Sequence, residues 1–199
     1  FNMLTKNCGG KVLTGTREND KRCFECLMPR RFCMCRVVEP VSSPWKCHLI
    51  MSRGESQRVS NTGKLLKLVL EGTEIHVRGD QQSPLDYSSL VSSERPTLLL
   101  FPAPNAKLPS ELGLTPKDPV QLLIPDGNWP QGAKISNKLL AYPQVIPVKI
   151  PSLPSRYRLR SNPNPGRIST FESTMELFRE TGHDFLIPSM EKVFEAMIT

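Results

Sequence analysis

Two groups of residues in this chain have types and spacings that could do chemistry. The first is Cys23-Phe24-Glu25-Cys26 followed by Cys33-Met34-Cys35, four of the six cysteines within thirteen residues, in a basic stretch from Lys21 to Arg36. A Cys-x-x-Cys knuckle turns two thiolates toward one ion, and a second close pair completes the tetrahedral set that zinc prefers. Zinc is the expected occupant, with an iron–sulfur cluster as the lesser metal option. Two disulfides, or unrelated buried thiols, are the readings without a metal. The second group is Asp126-Gly127-Asn128-Trp129: a carboxylate, a glycine able to take positive φ and a large aromatic in succession. A carboxylate held in a pocket can act as a general base. Asp-Gly-Asn is also ordinary turn chemistry, and these residues alone leave the two readings level.

Other reactive side chains promise less. Cys47 falls in Trp45-Lys46-Cys47-His48-Leu49-Ile50-Met51, which reads as a buried strand, and Cys8 precedes Gly9-Gly10 as a substitute ligand or a free thiol. His48, His76 and His183 stand apart in the sequence and are expected to be structural or solvated. There is no Gly-x-Gly-x-x-Gly fingerprint and no Walker loop, which argues against a Rossmann dinucleotide site and an NTPase. Twenty-six Lys and Arg against nineteen Asp and Glu give a net charge of +7. That surplus favours a polyanionic partner through counterion release, although many basic proteins bind no nucleic acid.

The elements that must position these residues are short. A chain of 199 residues with 38% hydrophobic content fills one core with a modest appendage, and its nineteen prolines and twelve glycines are scattered between apolar runs. Runs such as Leu98–Phe101 and Leu122–Pro125 are too short to cross a bilayer, so no membrane partner is expected. The N-terminus does not read as a signal peptide, and a leader upstream of Phe1 stays open. Residues 1–40 form an N-terminal segment with the cysteine module. Residues 41–199 alternate apolar runs with helical segments, which predicts an α/β domain with a mainly parallel sheet and helices on both faces. The strands are expected at Cys47 to Met51, Glu74 to Arg78, Thr97 to Phe101, Val120 to Ile124 and Gln144 to Val148. A buried helix is expected over Asn61 to Gly72, and a second from a capping box at Ser169-Thr170-Phe171-Glu172 to about Arg179. Met190, Val193, Phe194, Met197 and Ile198 share one helical face, as core or as a dimer contact. In such sheets a ligand lies beyond the carboxyl ends of the strands, which singles out the loops Phe101-Pro102-Ala103-Pro104-Asn105 and Pro125 to Trp129.

Six motifs in order carry a resemblance. Arg22-Cys23-x-x-Cys26-x6-Cys33-x-Cys35, Glu55-x4-Ser60-Asn61-Thr62-Gly63, Phe101-Pro102, Asp126-Gly127-x-Trp129, Tyr157-Arg158-Leu159-Arg160 and Thr170-x-Glu172 follow the DTW-domain pattern. They are similar to the tRNA-uridine aminocarboxypropyltransferases, the bacterial branch most of all, over about Arg22 to Phe178. One departure is Asn128, where the family usually has threonine; it bears on the cofactor pose and the rate.

The resemblance implies a cytoplasmic enzyme that uses S-adenosylmethionine to transfer a 3-amino-3-carboxypropyl group to N3 of a uridine in tRNA, releasing 5′-methylthioadenosine. It implies a SPOUT-like fold with a trefoil knot, and a monomer is favoured over a dimer. Uridine N3 keeps its proton at neutral pH, so a base is needed, and Asp126 is the carboxylate expected to serve. By the resemblance, Leu100, Phe101, Pro102, Ala103, Asp126, Gly127, Trp129, Thr170 and Glu172 surround the cofactor. Simple helix capping is the competing account of Thr170 and Glu172, as core packing is of Trp129. Arg53, Arg58, Arg156, Arg158 and Arg160, with the Arg30-Arg31 pair, are candidates to hold RNA phosphates, against a solvated surface. Asn61 either caps a helix or contacts substrate. A SPOUT-like RNA methyltransferase and a non-catalytic zinc-bearing RNA-binding protein are the alternative functions.

Overall fold

The computed structural model describes residues 12–13, 22–23, 25–26, 33–58, 60–80, 82–158 and 167–198. Cys8, the Arg30-Arg31 pair and Arg160 lie outside the described residues. A short antiparallel ribbon joins β1 (Val12–Leu13) to β2 (Arg22–Cys23). The main sheet holds β3 (Lys46–Ser52), β4 (Glu74–Arg78), β5 (Thr97–Leu100), β6 (Gln121–Asp126) and β7 (Val145–Val148), all parallel, in the order β4-β3-β6-β5-β7.

Continuous apolar runs such as Thr97–Leu100 and Gln121–Ile124 are buried at every position, as strands covered on both faces require. Alternate residues point to opposite faces. Cys47, Leu49, Met51, Leu122 and Ile124 pack with α2 (Lys64–Val69), α4 (Thr170–Glu180) and α5 (Ile187–Ile198). Ile50, Leu99 and Leu123 pack on the other face with Ile135 and Leu139 of α3 (Trp129–Leu139). The expected parallel sheet with helices on both faces is therefore present. Burial pushes the Cys47 thiol up to about 12, so it is an inert core group.

Several expectations need correcting. The helix expected over Asn61 to Gly72 is only α2, because Leu70 turns extended and Gly72 follows at φ 76°. The apolar face of α5 is core: Met190, Val193 and Phe194 are fully buried and Met197 nearly so, with Phe194 stacked on Phe171 at 5.7 Å. α3 was not expected from the sequence. Residues 159–166, on the path from β7 to α4, lie outside the described residues. No helix among the described residues is long and apolar enough to cross a membrane.

The topology dictates where a site can form. From β3 the chain passes through α1 (Arg53–Ser56) and α2 outward to β4; from β6 it passes through α3 the other way to β7. These two crossovers lie on opposite faces and leave a crevice at the carboxyl ends of the adjacent strands β3 and β6. Asp126 is the last residue of β6, paired with Met51.

Candidate active site

A cavity of about 600 Å³ opens at that crevice, lined by the ends of β5, β6 and β7, the loop before α2 and the start of α4. Asp126 lies in its wall and is only 4% exposed. Asn61 Nδ2 donates to Asp126 Oδ2 at 2.5 Å, and the Thr170 hydroxyl donates to Oδ1 at 2.6 Å. Three segments far apart in sequence thus fix one carboxylate. Asn61 does more than hold it: the same amide nitrogen donates to Glu55 Oε1 at 3.0 Å, and Asn61 Oδ1 accepts from the Lys64 backbone N–H, capping α2. Of the two readings of Asn61, the cap is seen, and its amide also holds the Asp126 carboxylate. Glu55, 3% exposed, is thereby linked through one amide to Asp126.

The turn after β6 is built around its glycine. Gly127 sits at φ 142°, and a Cβ there would meet Gln131 Oε1 at 2.5 Å. Gln131 occupies that space because its Oε1 accepts from the Asn128 N–H while Asn128 Oδ1 accepts from the Gln131 N–H, both at 3.0 Å. This reciprocal capping box opens α3 with Pro130 in its first turn. Asn128 is as good an N-cap as the threonine it replaces, so its departure from the motif keeps the helix start.

Trp129 is not core, as it is 44% exposed. Its ring leans on Phe101 at 5.1 Å between centroids, and the Arg167 guanidinium lies 4.2 Å over it. All three line the cavity mouth. Gly132 permits this: a Cβ there would stand 3.3 Å from the Phe101 ring.

Of the other expected site residues, Leu100, Phe101, Pro102, Gly127, Thr170 and Arg58 line the cavity. Arg58 also pairs with Glu55, Nε to Oε2 at 3.6 Å. Ala103, Glu172, Arg53, Arg156 and Arg158 stand outside the lining. Glu172 is committed elsewhere. It accepts from the Ser169 N–H and the Ser155 hydroxyl, each at 2.8 Å, and from the Arg156 N–H at 2.7 Å, clamping the 155–157 segment onto the start of α4. Arg156 pairs with Glu191 and Glu195 on α5 and lies over Phe194. Arg53 and Arg158 are exposed. Glu55 and Gly63 were not expected at the site, although both fall inside a quoted motif. Nor were Arg167, Gln131 and Lys149, for which only the Asn128-x-x-Gln131 capping pattern gives a signal.

The cysteines come together as expected. Cys23 Sγ lies 3.7 Å from Cys35 Sγ and Cys26 Sγ 3.9 Å from Cys33 Sγ, with all four sulfurs within 4.8 Å of one another. The edge of a tetrahedron with zinc–sulfur bonds of about 2.3 Å is about 3.8 Å. No disulfide joins any of the four. The hydrogen bond from Cys26 and burial push the Cys35 thiol far above its ordinary value, so four thiolates here need a cation. Cys23, Cys26 and Met34 also join the main core on the α5 side. These four cysteines could hold a metal such as zinc.

Comparison with known proteins agrees with this arrangement. Residues 20–199 match the DTW domain. A fruit-fly (Drosophila melanogaster) protein named tRNA-uridine aminocarboxypropyltransferase 2 is 28% identical over 165 residues, covering 78% of this chain and 64% of its own length. The chain thus spans somewhat under two thirds of that relative. No solved structure matches. With the match running through the cysteine module, the Asp126 turn and α4, the chain belongs to the DTW-domain family.

Proposed function

We propose that this chain modifies tRNA, transferring the 3-amino-3-carboxypropyl group of S-adenosylmethionine to N3 of a uridine. The observation that carries the reading is the buried Asp126 carboxylate, held by Asn61 and Thr170 in the wall of a cavity large enough for a nucleoside-sized ligand. The similarity to a relative named for that activity supports it.

The cavity suits the donor. Its volume and the apolar side chains of Leu100, Phe101, Ile124 and Val148 accommodate an adenosine. The first turn of α4 offers backbone N–H groups at Thr170 for a carboxylate. Leu100, Phe101, Pro102, Gly127 and Thr170 would hold the cofactor, while Glu172 ties the 155–157 segment to the start of α4. When bound, S-adenosylmethionine supplies a carbon activated by the adjacent sulfonium. The protein's own residues do the rest. Asp126 accepts the N3 proton, and its two donors hold it in one orientation for that transfer. Trp129, packed on Phe101, offers a stacking surface for the uracil ring once the Arg167 guanidinium moves off it. Arg58, Lys149 and Arg167 at the cavity give it a positive rim suited to RNA phosphates, extended outward by Arg53 and Arg158. A zinc ion on Cys23, Cys26, Cys33 and Cys35 anchors the N-terminal module to the core.

Incubating the zinc-loaded chain with unmodified tRNA and S-adenosylmethionine, then digesting the RNA for mass spectrometry, tests the reading. A uridine heavier by one aminocarboxypropyl group is expected. A methylated nucleoside would indicate the methyltransferase alternative, and no modified nucleoside from a complete tRNA pool would leave RNA binding alone.

A further inference from the structure

A second group of metal-type ligands lies away from the cavity and the cysteine module. His48 and His76, far apart in the sequence and expected to be unconnected, meet across neighbouring strands. The parallel register sets His48 opposite Glu74 and Ile50 opposite His76, so the side chains of His48, Glu74 and His76 leave the same face of the sheet at its β4 edge. His48 Nδ1 stands 2.9 Å from His76 Nε2, and Glu74 Oε2 stands 3.5 Å from each of those nitrogens.

Those three distances match a shared ion. An ion bound at about 2.0–2.1 Å by two ligands separates them by about 2.9 Å in octahedral geometry and about 3.4 Å in tetrahedral geometry. The triangle of 2.9, 3.5 and 3.5 Å fits within a few tenths of an ångström. A hydrogen bond between the rings accounts for the first distance alone. It does not account for a carboxylate oxygen equidistant from both nitrogens and too far to make a good hydrogen bond with either. The surroundings hold the ligands in place. Lys46 Nζ binds the other Glu74 oxygen at 2.9 Å and leaves Oε2 turned to the rings. Gln121, anchored by its Nε2 on the Leu90 carbonyl at 2.6 Å, lies beside the His48 ring. The Lys46 charge opposes a cation, which makes this the weaker site beside four thiolates.

We propose that His48, Glu74 and His76 form a second site for a zinc-type divalent cation, tying the edge strand β4 to β3 and leaving a coordination position to water. It stands apart from the proposed transferase activity and does not depend on it.

The test is equilibrium dialysis of the full chain against buffered micromolar zinc, followed by metal analysis. About two zinc ions per chain are expected for the wild type and about one for His76→Ala or Glu74→Gln. Cobalt substitution separates the sites: thiolate charge-transfer bands report the cysteines and should persist in His76→Ala, while the extra ligand-field absorption is lost. Zinc should also raise the melting temperature of the cysteine-loaded wild type and not that of Glu74→Gln, the conservative variant that keeps side-chain shape if His76→Ala folds poorly. A single ion in the wild type, or two in both variants, overturns the proposal.

Discussion

A β-carbon on Gly63 would stand 3.0 Å from both Cγ and Oδ2 of Asp126, so this glycine keeps open the space that the carboxylate occupies. Gly63 has ordinary helical backbone angles, φ −57° and ψ −35°, and alanine suits that conformation better than glycine. Gly63→Ala should therefore leave stability within about 1 kcal/mol of wild type, helix propensity offsetting the tight contact. Displacing Asp126 by a few tenths of an ångström should lower kcat by about tenfold or more. Thermal melts and steady-state kinetics on one preparation separate the two effects.

Removing the amide that links Glu55 and Asp126 should act on stability first. In Asn61→Ala both buried carboxylates lose a donor, at 3.0 Å and 2.5 Å, and α2 loses its cap. A loss of about 2–4 kcal/mol is expected in urea denaturation.

Thr170 and Glu172 lie two residues apart and should behave differently. Thr170→Val keeps the shape and removes the donor to the buried Asp126, so kcat should fall by about tenfold, with a stability loss of about 1–2 kcal/mol. Glu172→Ala releases the Ser155, Arg156 and Ser169 contacts while the Ser169 hydroxyl still caps α4, costing about 1–2 kcal/mol. Its kinetic effect should appear in KM through the 155–157 segment, with kcat nearly kept.

Much of the fold is legible in the amino-acid sequence. Four of the main-sheet strands, β3, β5, β6 and β7, are readable because they are mostly buried and spell apolar runs bounded by Pro, Gly and polar residues, whereas the edge strand β4 has no buried residue and is marked by Ile75 and Val77 between two glycine turns. α4 is readable from its capping box. α3 is hidden because Trp129-Pro130 and Gly132 look like a continuing loop, although Asn128 and Gln131 carry its start signal. What no local pattern holds is the meeting of Asn61, Asp126 and Thr170, which depends on three separate connections ending at one crevice. The His48 and His76 contact is of the same kind: parallel register joins strands whose sequences carry no mark of each other. Glu172 shows the converse, a motif residue whose contacts are structural.

His183 supplies an acid-sensitive element. It is fully buried against Trp45 at 4.8 Å and Phe178 at 5.2 Å, with Nδ1 3.0 Å from the Thr181 hydroxyl. Burial holds its pKa below the ordinary 6.5. The unfolded chain therefore takes up this proton first. The contribution is complete above about pH 6.5 and is lost as pH falls from there through the depressed value. Urea midpoints should drop across that range, and less steeply in His183→Gln.

The most direct test is a single-turnover reaction with tRNA and S-adenosylmethionine in which the released nucleoside and the modified RNA are quantified together, for wild type and Asp126→Asn. The wild type should release 5′-methylthioadenosine in step with aminocarboxypropyl-uridine. Asp126→Asn should bind S-adenosylmethionine and form neither. Release of adenosylhomocysteine, or an unchanged rate in Asp126→Asn, would contradict the account.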